Sequence, residues 1–380
     1  MTRLWLLGSM MALVGTAACS GGTTPDIDRE RNALANAGPS SIVAPDAKVL
    51  VAGNCPFTPA PALLPRAVCV CDDITLSGAL ETRGAHADVG TNGRFTAATE
   101  TTIGGALLAR DGVGVSGEVK VHDDLASRGD VMGAGTLSVG HDLSSGGNVT
   151  LSGALDVTGA ARVAGQLIVA GEQSLGGRAP FVPVAEPCGC SGPGLFDIAG
   201  RVAAAKAQND NAKHGLASEI QSVGDGALTL ETGNYYFTSV TGVGLHHVRV
   251  SGAVAVHIDG DLTAVGAESF ELAPGSSLDL FVNGNVQSAG DLDLGSGASA
   301  ASFRLYVGGD AMVHAGQQSF HGTLYAPHAT VAFAGDTTVH GAVFAKALSY
   351  AGRLVVDYAA PVAPQPTTCQ APSSDAVSPK

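Results

Sequence analysis

From Val89 onward, apolar residues recur at multiples of six positions: Val89, Phe95, Leu107, Val113, Val119, Leu125, Val131, Leu137, Leu143, Val149, Leu155 and Leu167. Two residues after many of these runs a second apolar row, with Ile103, Val115, Val121, Val139, Leu151, Val157, Val163 and Val169. Two residues later again comes glycine, as at Gly105, Gly117, Gly129, Gly147 and Gly165. Alternation with a period of two marks a strand with one buried face, and glycine at this spacing marks a bend after each short strand. Strands so short, with bends so regular, close only by winding. Three hexads make one triangular coil of about eighteen residues, and such coils stack about 4.8 Å apart as parallel sheets. A helix is excluded by the density of glycine and β-branched residues, and an antiparallel sandwich by turns that come too often. The pattern therefore predicts an all-β chain, with a parallel β-helix or solenoid over residues 69–172.

The period breaks at the Pro-rich stretch RAPFVPVAEPCGCSGPG, and an Ala-rich run follows. There Leu195, Ile198, Ala199, Val202 and Ala205 fall at helical spacing, which predicts one amphipathic α-helix. Residues 173–216 thus read as a linker and helix that cap or flank the ends of solenoids, where strand edges would otherwise lie open. From 217 to 358 strand patterning returns in looser coils of about 19–25 residues, forming a second solenoid. Leu305-Tyr306, Leu324-Tyr325 and Val343-Phe344 recur at one coil's spacing and should stack as a ladder.

The ends read differently. Residues 1–18 have one arginine, an apolar stretch and a small-residue close before Cys19, which predicts a signal peptide and lipidation of Cys19 at a lipobox-like site. Residues 19–68 form a Pro/Ser-rich flexible tether, and 359–380 a disordered tail. The expected address is the Gram-negative envelope, lipid-anchored in its outer membrane. Beyond Cys19 six cysteines remain: Cys55, Cys69, Cys71, Cys188, Cys190 and Cys369. In an exported chain an even number favours disulfides, with connectivity left open. The CVC and CGC pairs could instead hold a metal, although structural zinc favours two residues between paired cysteines.

Charge narrows the partners. A net charge of −14 repels phosphates, so nucleic acid is not an expected partner. The expected partners are the membrane, through the lipid anchor, surface polysaccharides or proteins, and further copies of the chain.

The run from LFDIAGRVAAAKAQNDNAKHG through LDLFVNGNV and LYVGGD to LYAPHATVAFAGDTTVHGAVFAKALSYAGRLVVDY resembles an uncharacterised domain family of exported proteins from myxobacteria and other Gram-negatives, also met in pilus-associated proteins. It spans about residues 188–358 and implies fold and address without catalytic residues. The hexads are loosely similar to those of bactofilins, which are cytoplasmic polymers without signal peptides.

Candidate chemistry is sparse, and no cofactor is expected. His122, Asp123, Asp124 and Arg128 form the densest cluster, echoed one coil later by His141 and Asp142. At solenoid corners such acids are more often backbone acceptors than catalysts. Tyr235, Tyr236 and Phe237 form the one aromatic cluster suited to sugar. His321 and His340, about 5 Å apart on adjacent coils, are weak metal candidates that lack a third ligand unless His314 or His328 turns inward. Asn148 lies in a glycosylation sequon by letter only. The expected function is a non-enzymatic structural, adhesive or surface-display solenoid; the alternatives are a carbohydrate-active β-helix enzyme and a self-polymerising scaffold.

Overall fold

The computed structural model describes residues 64–191, 195–296 and 299–359. They form a parallel β-solenoid of about 13 turns with one α-helix.

In the hexad half each coil lies on the one before in the expected register. Leu107 pairs with Leu125, Leu125 with Leu143, and Leu143 with Ala161. On the next wall Phe95, Val113, Val131, Val149 and Leu167 are stacked likewise. Both apolar rows point into the bore, where Leu125, Val131 and Leu143 are wholly buried, while Ala126 between them is only half-buried. Each aliphatic side chain so buried contributes roughly 1.5–3 kcal/mol.

The bend glycines answer to the stacking of the coils. Gly147 does not have a left-handed φ. A Cβ there would lie 2.1 Å from Asp130 Oδ1 and 2.8 Å from the Asp130 backbone nitrogen on the coil below. Glycine is required by the closeness of stacked corners rather than by the Ramachandran map.

The second half winds in the same direction along the stack and ends where the first half begins. Val343 and Phe344, near the end of the described chain, pair with Val68 and Cys69 near its beginning. Val68 and Cys69 pair on their other side with Val89 and Gly90. Two further walls repeat the junction, Leu348 with Ile74 and Leu354 with Leu80. The two halves read from the sequence as separate solenoids are therefore one continuous stack, at whose middle the rung of the first strands lies on the rung of the last. The far ends are Gln173–Arg178 in one half and Glu219–Val223 in the other. Strand pairing in the first half runs on to Arg178, a few residues past the hexads.

A chain wound this way must travel from one end of the stack to the other, and residues 179–191 and 195–218 lie along one flank. Arg128 Nε donates to Val184 O at 2.7 Å. Asn92 exchanges two hydrogen bonds with the backbone of Cys188, at 2.8 and 2.9 Å. Phe196 N–H then donates to the Tyr325 hydroxyl at 3.1 Å, and Arg201 lies over the Phe281 ring. The helix expected at the solenoid ends is Ile198–Ala207 and lies on this flank instead. Asp197 caps it by accepting from Gly200 N–H at 2.8 Å. Ile198, Val202 and Ala205 are buried; Ala199, expected on the same face, is exposed.

Candidate functional site

The flank beneath this strap is the most elaborate surface of the molecule. Tyr236, His257, Phe281, Tyr306, Tyr325 and Phe344 occupy outward positions of successive coils, as their register shows. Ring centroids are 4.9 Å apart for His257 and Phe281, 4.5 Å for Phe281 and Tyr306, and 5.2 Å for Tyr325 and Phe344. The ladder expected from Tyr306, Tyr325 and Phe344 thus exists, on the outer side of the wall, and is longer than the spacing suggested. Ile198 and Val202 cover it, so these rings are buried and offer no open platform for sugar. Of the expected aromatic cluster, Tyr235 and Phe237 point into the bore and Tyr236 joins the ladder.

Two disulfides fasten the strap at the junction of the halves: Cys69 with Cys188, and Cys71 with Cys190. All four sulfurs of the CVC and CGC pairs are consumed, which replaces the metal reading. Beside the ladder, Arg304 and Asp279 form a buried ion pair; Arg304 Nη2 lies 2.9 Å from Asp279 Oδ2, and Nε contacts Oδ1. Burial pushes the Tyr306 phenol far up and lowers the His257 imidazole to about 4.

The acid cluster of the hexads is dispersed among structural duties. Asp124 Oδ1 accepts from Asp142 N–H at 3.0 Å, one coil on. Asp142 Oδ1 accepts in turn from Ala160 N–H at 2.7 Å, and its other oxygen pairs with Arg162. That backbone hydrogen bond, then Arg162, holds the Asp142 carboxyl below its ordinary range. Asp130 and Asn148 serve the next coil in the same way. The corner side chains are backbone acceptors, as expected, and the backbone they serve is that of the following coil. Asp123 lies 3.9 Å from His141, and Arg128 is taken by the strap.

His321 and His340 stack at 4.5 Å between ring centroids. His321 Nε2 is 3.0 Å from Ser319 Oγ, and His340 Nδ1 is 3.0 Å from Asp357. His314 faces the bore and bonds Ser288 at 2.9 Å, while His328 is exposed. Among the described residues no group of three or more His, Cys, Asp or Glu side chains is arranged to hold a metal ion.

Sequence reasoning missed one cavity. The bore is filled in the hexad half, but inside the coils Gly226–Phe237, Ser239–Ile258 and Leu262–Leu272 it opens to about 290 Å³. Leu230, Phe237, Val256, Ile258 and Leu280 form a buried apolar floor. His246 and Glu268 are register partners on adjacent coils, and His246 Nδ1 lies 3.2 Å from Glu268 Oε1 on the cavity lining. Burial pushes the Glu268 carboxyl up, against the pull of His246. The signal for it was the 22-residue step from His246 in VGLHHV to Glu268 in VGAESF.

Fold and site together define a parallel β-solenoid whose first and last strands meet at its middle, bound by a disulfide-fastened strap. Residues 192–363 match the model of a family described as a domain of unknown function, DUF7305. That segment holds the helix, the ladder and the cavity. No curated protein matches the chain. An ice-binding protein from an Antarctic bacterium of the Flavobacteriaceae is similar over 79% of this chain and 97% of its own, with 10% identity and a TM-score of 0.14. A likeness that slight carries no argument.

Proposed function

We propose that this chain is a non-enzymatic, exported, lipid-anchored β-solenoid that acts as a structural or adhesive element of the cell envelope. The observation that carries this reading is the meeting of the first and last described strands on adjacent rungs at the middle of the stack: the tether expected over 19–68 would hold the stack by its waist and present both ends to partners. The corner acids add support, since each is engaged in joining coils rather than converging on a substrate. Two disulfides fit an oxidising compartment. No helix among the described residues is long and apolar enough to cross a membrane, so in this reading attachment falls to Cys19, outside the described residues. Cells fed a clickable fatty acid should label the wild-type chain and leave Cys19→Ser unlabelled. Equal labelling of the two would remove the anchor from the proposal.

A second reading, self-association, is favoured by the end coil at Leu167–Arg178. There Ile168 is exposed, Leu167, Val169 and Leu175 are half-buried, and a strand edge lies open. Sedimentation of the exported chain should then show concentration-dependent oligomers that Ile168→Lys abolishes; a monomer at all concentrations would exclude this reading.

A further inference from the structure

We propose that the cavity near the Glu219 end of the stack binds a small, uncharged amphiphile: an apolar molecule bearing one hydroxyl, which the His246–Glu268 pair orients.

Size and lining set the apolar part. An engineered apolar cavity of about 150 Å³ admits benzene, so one near 290 Å³ takes a chain of about eight to ten carbons or a fused pair of rings. The floor is buried, whereas Leu216 and Leu228 at the rim are only half-buried, which leaves an approach from the end coil. In the hexad half the inward rows of Leu and Val are fully buried and close the bore; here, in coils of the same stack, the space is left open. Close packing is the rule for interiors, so an unfilled volume of this size calls for an occupant.

The pair sets the polar part. An ion pair facing an apolar bore adds little stability over well-packed aliphatic side chains, so its presence points to a task other than folding. The carboxylate accepts a hydroxyl proton, and the imidazole beside it completes a site for the same oxygen. The headgroup must be neutral. His246 and Glu268 already have each other as partners, so an ionised ligand would bring a charge with no partner of its own into an apolar volume. Gly242 borders the site: a Cβ there would lie 2.5 Å from Glu268 Oε1, so a larger side chain at this position intrudes on the pair.

The experiment is calorimetric titration of the full chain, disulfides formed, with 1-octanol, octanoate and octylamine at neutral pH. The expected result is saturable one-to-one binding of 1-octanol, at least tenfold tighter than the two ionised analogues. Methyl resonances of Leu230, Ile258 and Leu280 should shift. Gly242→Leu should abolish binding, and the double variant His246→Phe/Glu268→Leu should weaken it about tenfold, the loss of a charge-assisted hydrogen bond. Absence of saturable 1-octanol binding, tighter binding of either ionised analogue, or shifts confined to methyls elsewhere would each overturn the assignment. So would unchanged affinity in the double variant, which serves also if Gly242→Leu does not fold.

Discussion

The hydroxyl of Tyr358 donates to the backbone carbonyl of Leu64 at 3.2 Å, joining residues 294 positions apart in the chain. The body's entry and exit therefore lie side by side. Cys55 is nine residues before Leu64 and Cys369 eleven after Tyr358, each within reach of that point, since an extended chain spans about 3.3 Å per residue. With the other four candidates paired, we expect a third disulfide, Cys55–Cys369, outside the described residues. Non-reducing peptide mapping should recover the joined peptides; two free thiols at these positions would exclude it.

The stacked corners predict an unusual glycine profile. Gly147→Ala should destabilise nearly as much as Gly147→Val, because the first side-chain carbon already meets the Asp130 backbone. Were a positive φ the cause, alanine would cost only about 1–2 kcal/mol. Thermal melts of the two variants decide the matter. In the same series Leu143→Asp should cost several kcal/mol and Ala126→Asp little, because only the former puts an unpaired charge into the bore.

The ion pair under the strap should be costly to halve. Asp279→Ala leaves the buried Arg304 guanidinium without its carboxylate, a loss of about 3–5 kcal/mol. Replacing both residues with methionine should recover much of it. Denaturant melts of the two variants compare them, and equal stability would place the pair outside the energetics of the strap.

Acid should loosen the same flank. Burial lowers His257 to about 4 from an ordinary value near 6.5, so the folded state binds fewer protons than the unfolded one. Its contribution is fully present above about pH 6.5 and is lost as pH falls toward about 4, to a total of about 3.5 kcal/mol, each tenfold change in proton affinity being worth about 1.4 kcal/mol. His257→Phe keeps the stack on Phe281 and removes the titration. Its stability should fall less than the wild type's between about pH 7 and pH 4; parallel curves would exclude His257 as the cause.

The hexads were legible because a strict period fixes both the coil and the inward face: Leu125 and Leu143 needed no partner beyond the next copy of themselves. The junction was not legible. That Val343 lies on Val68 depends on which end of a finished stack meets which, and no local pattern encodes it. The ladder was half legible, since the nineteen-residue step linked Tyr306 to Tyr325 but adjacent apolar residues such as Leu305 and Tyr306 leave open which faces the bore. The helix shows the same limit: its buried stripe was visible in Ile198, Val202 and Ala205, while the surface receiving it exists only after winding. His246 and Glu268 stood apart in irregular coils and became a pair only through register.

The meeting of the first and last strands at the middle of the stack also has a mechanical meaning. A pull between the segments before Leu64 and after Tyr358 enters and leaves through neighbouring strands, so tension crosses the junction of two adjacent rungs and bypasses the arms on either side. Load that would peel an end-anchored solenoid coil by coil is here confined to the rung where Cys69 and Cys71 are bonded to the strap. The arms can bear contacts at their tips while the line of force never passes through them.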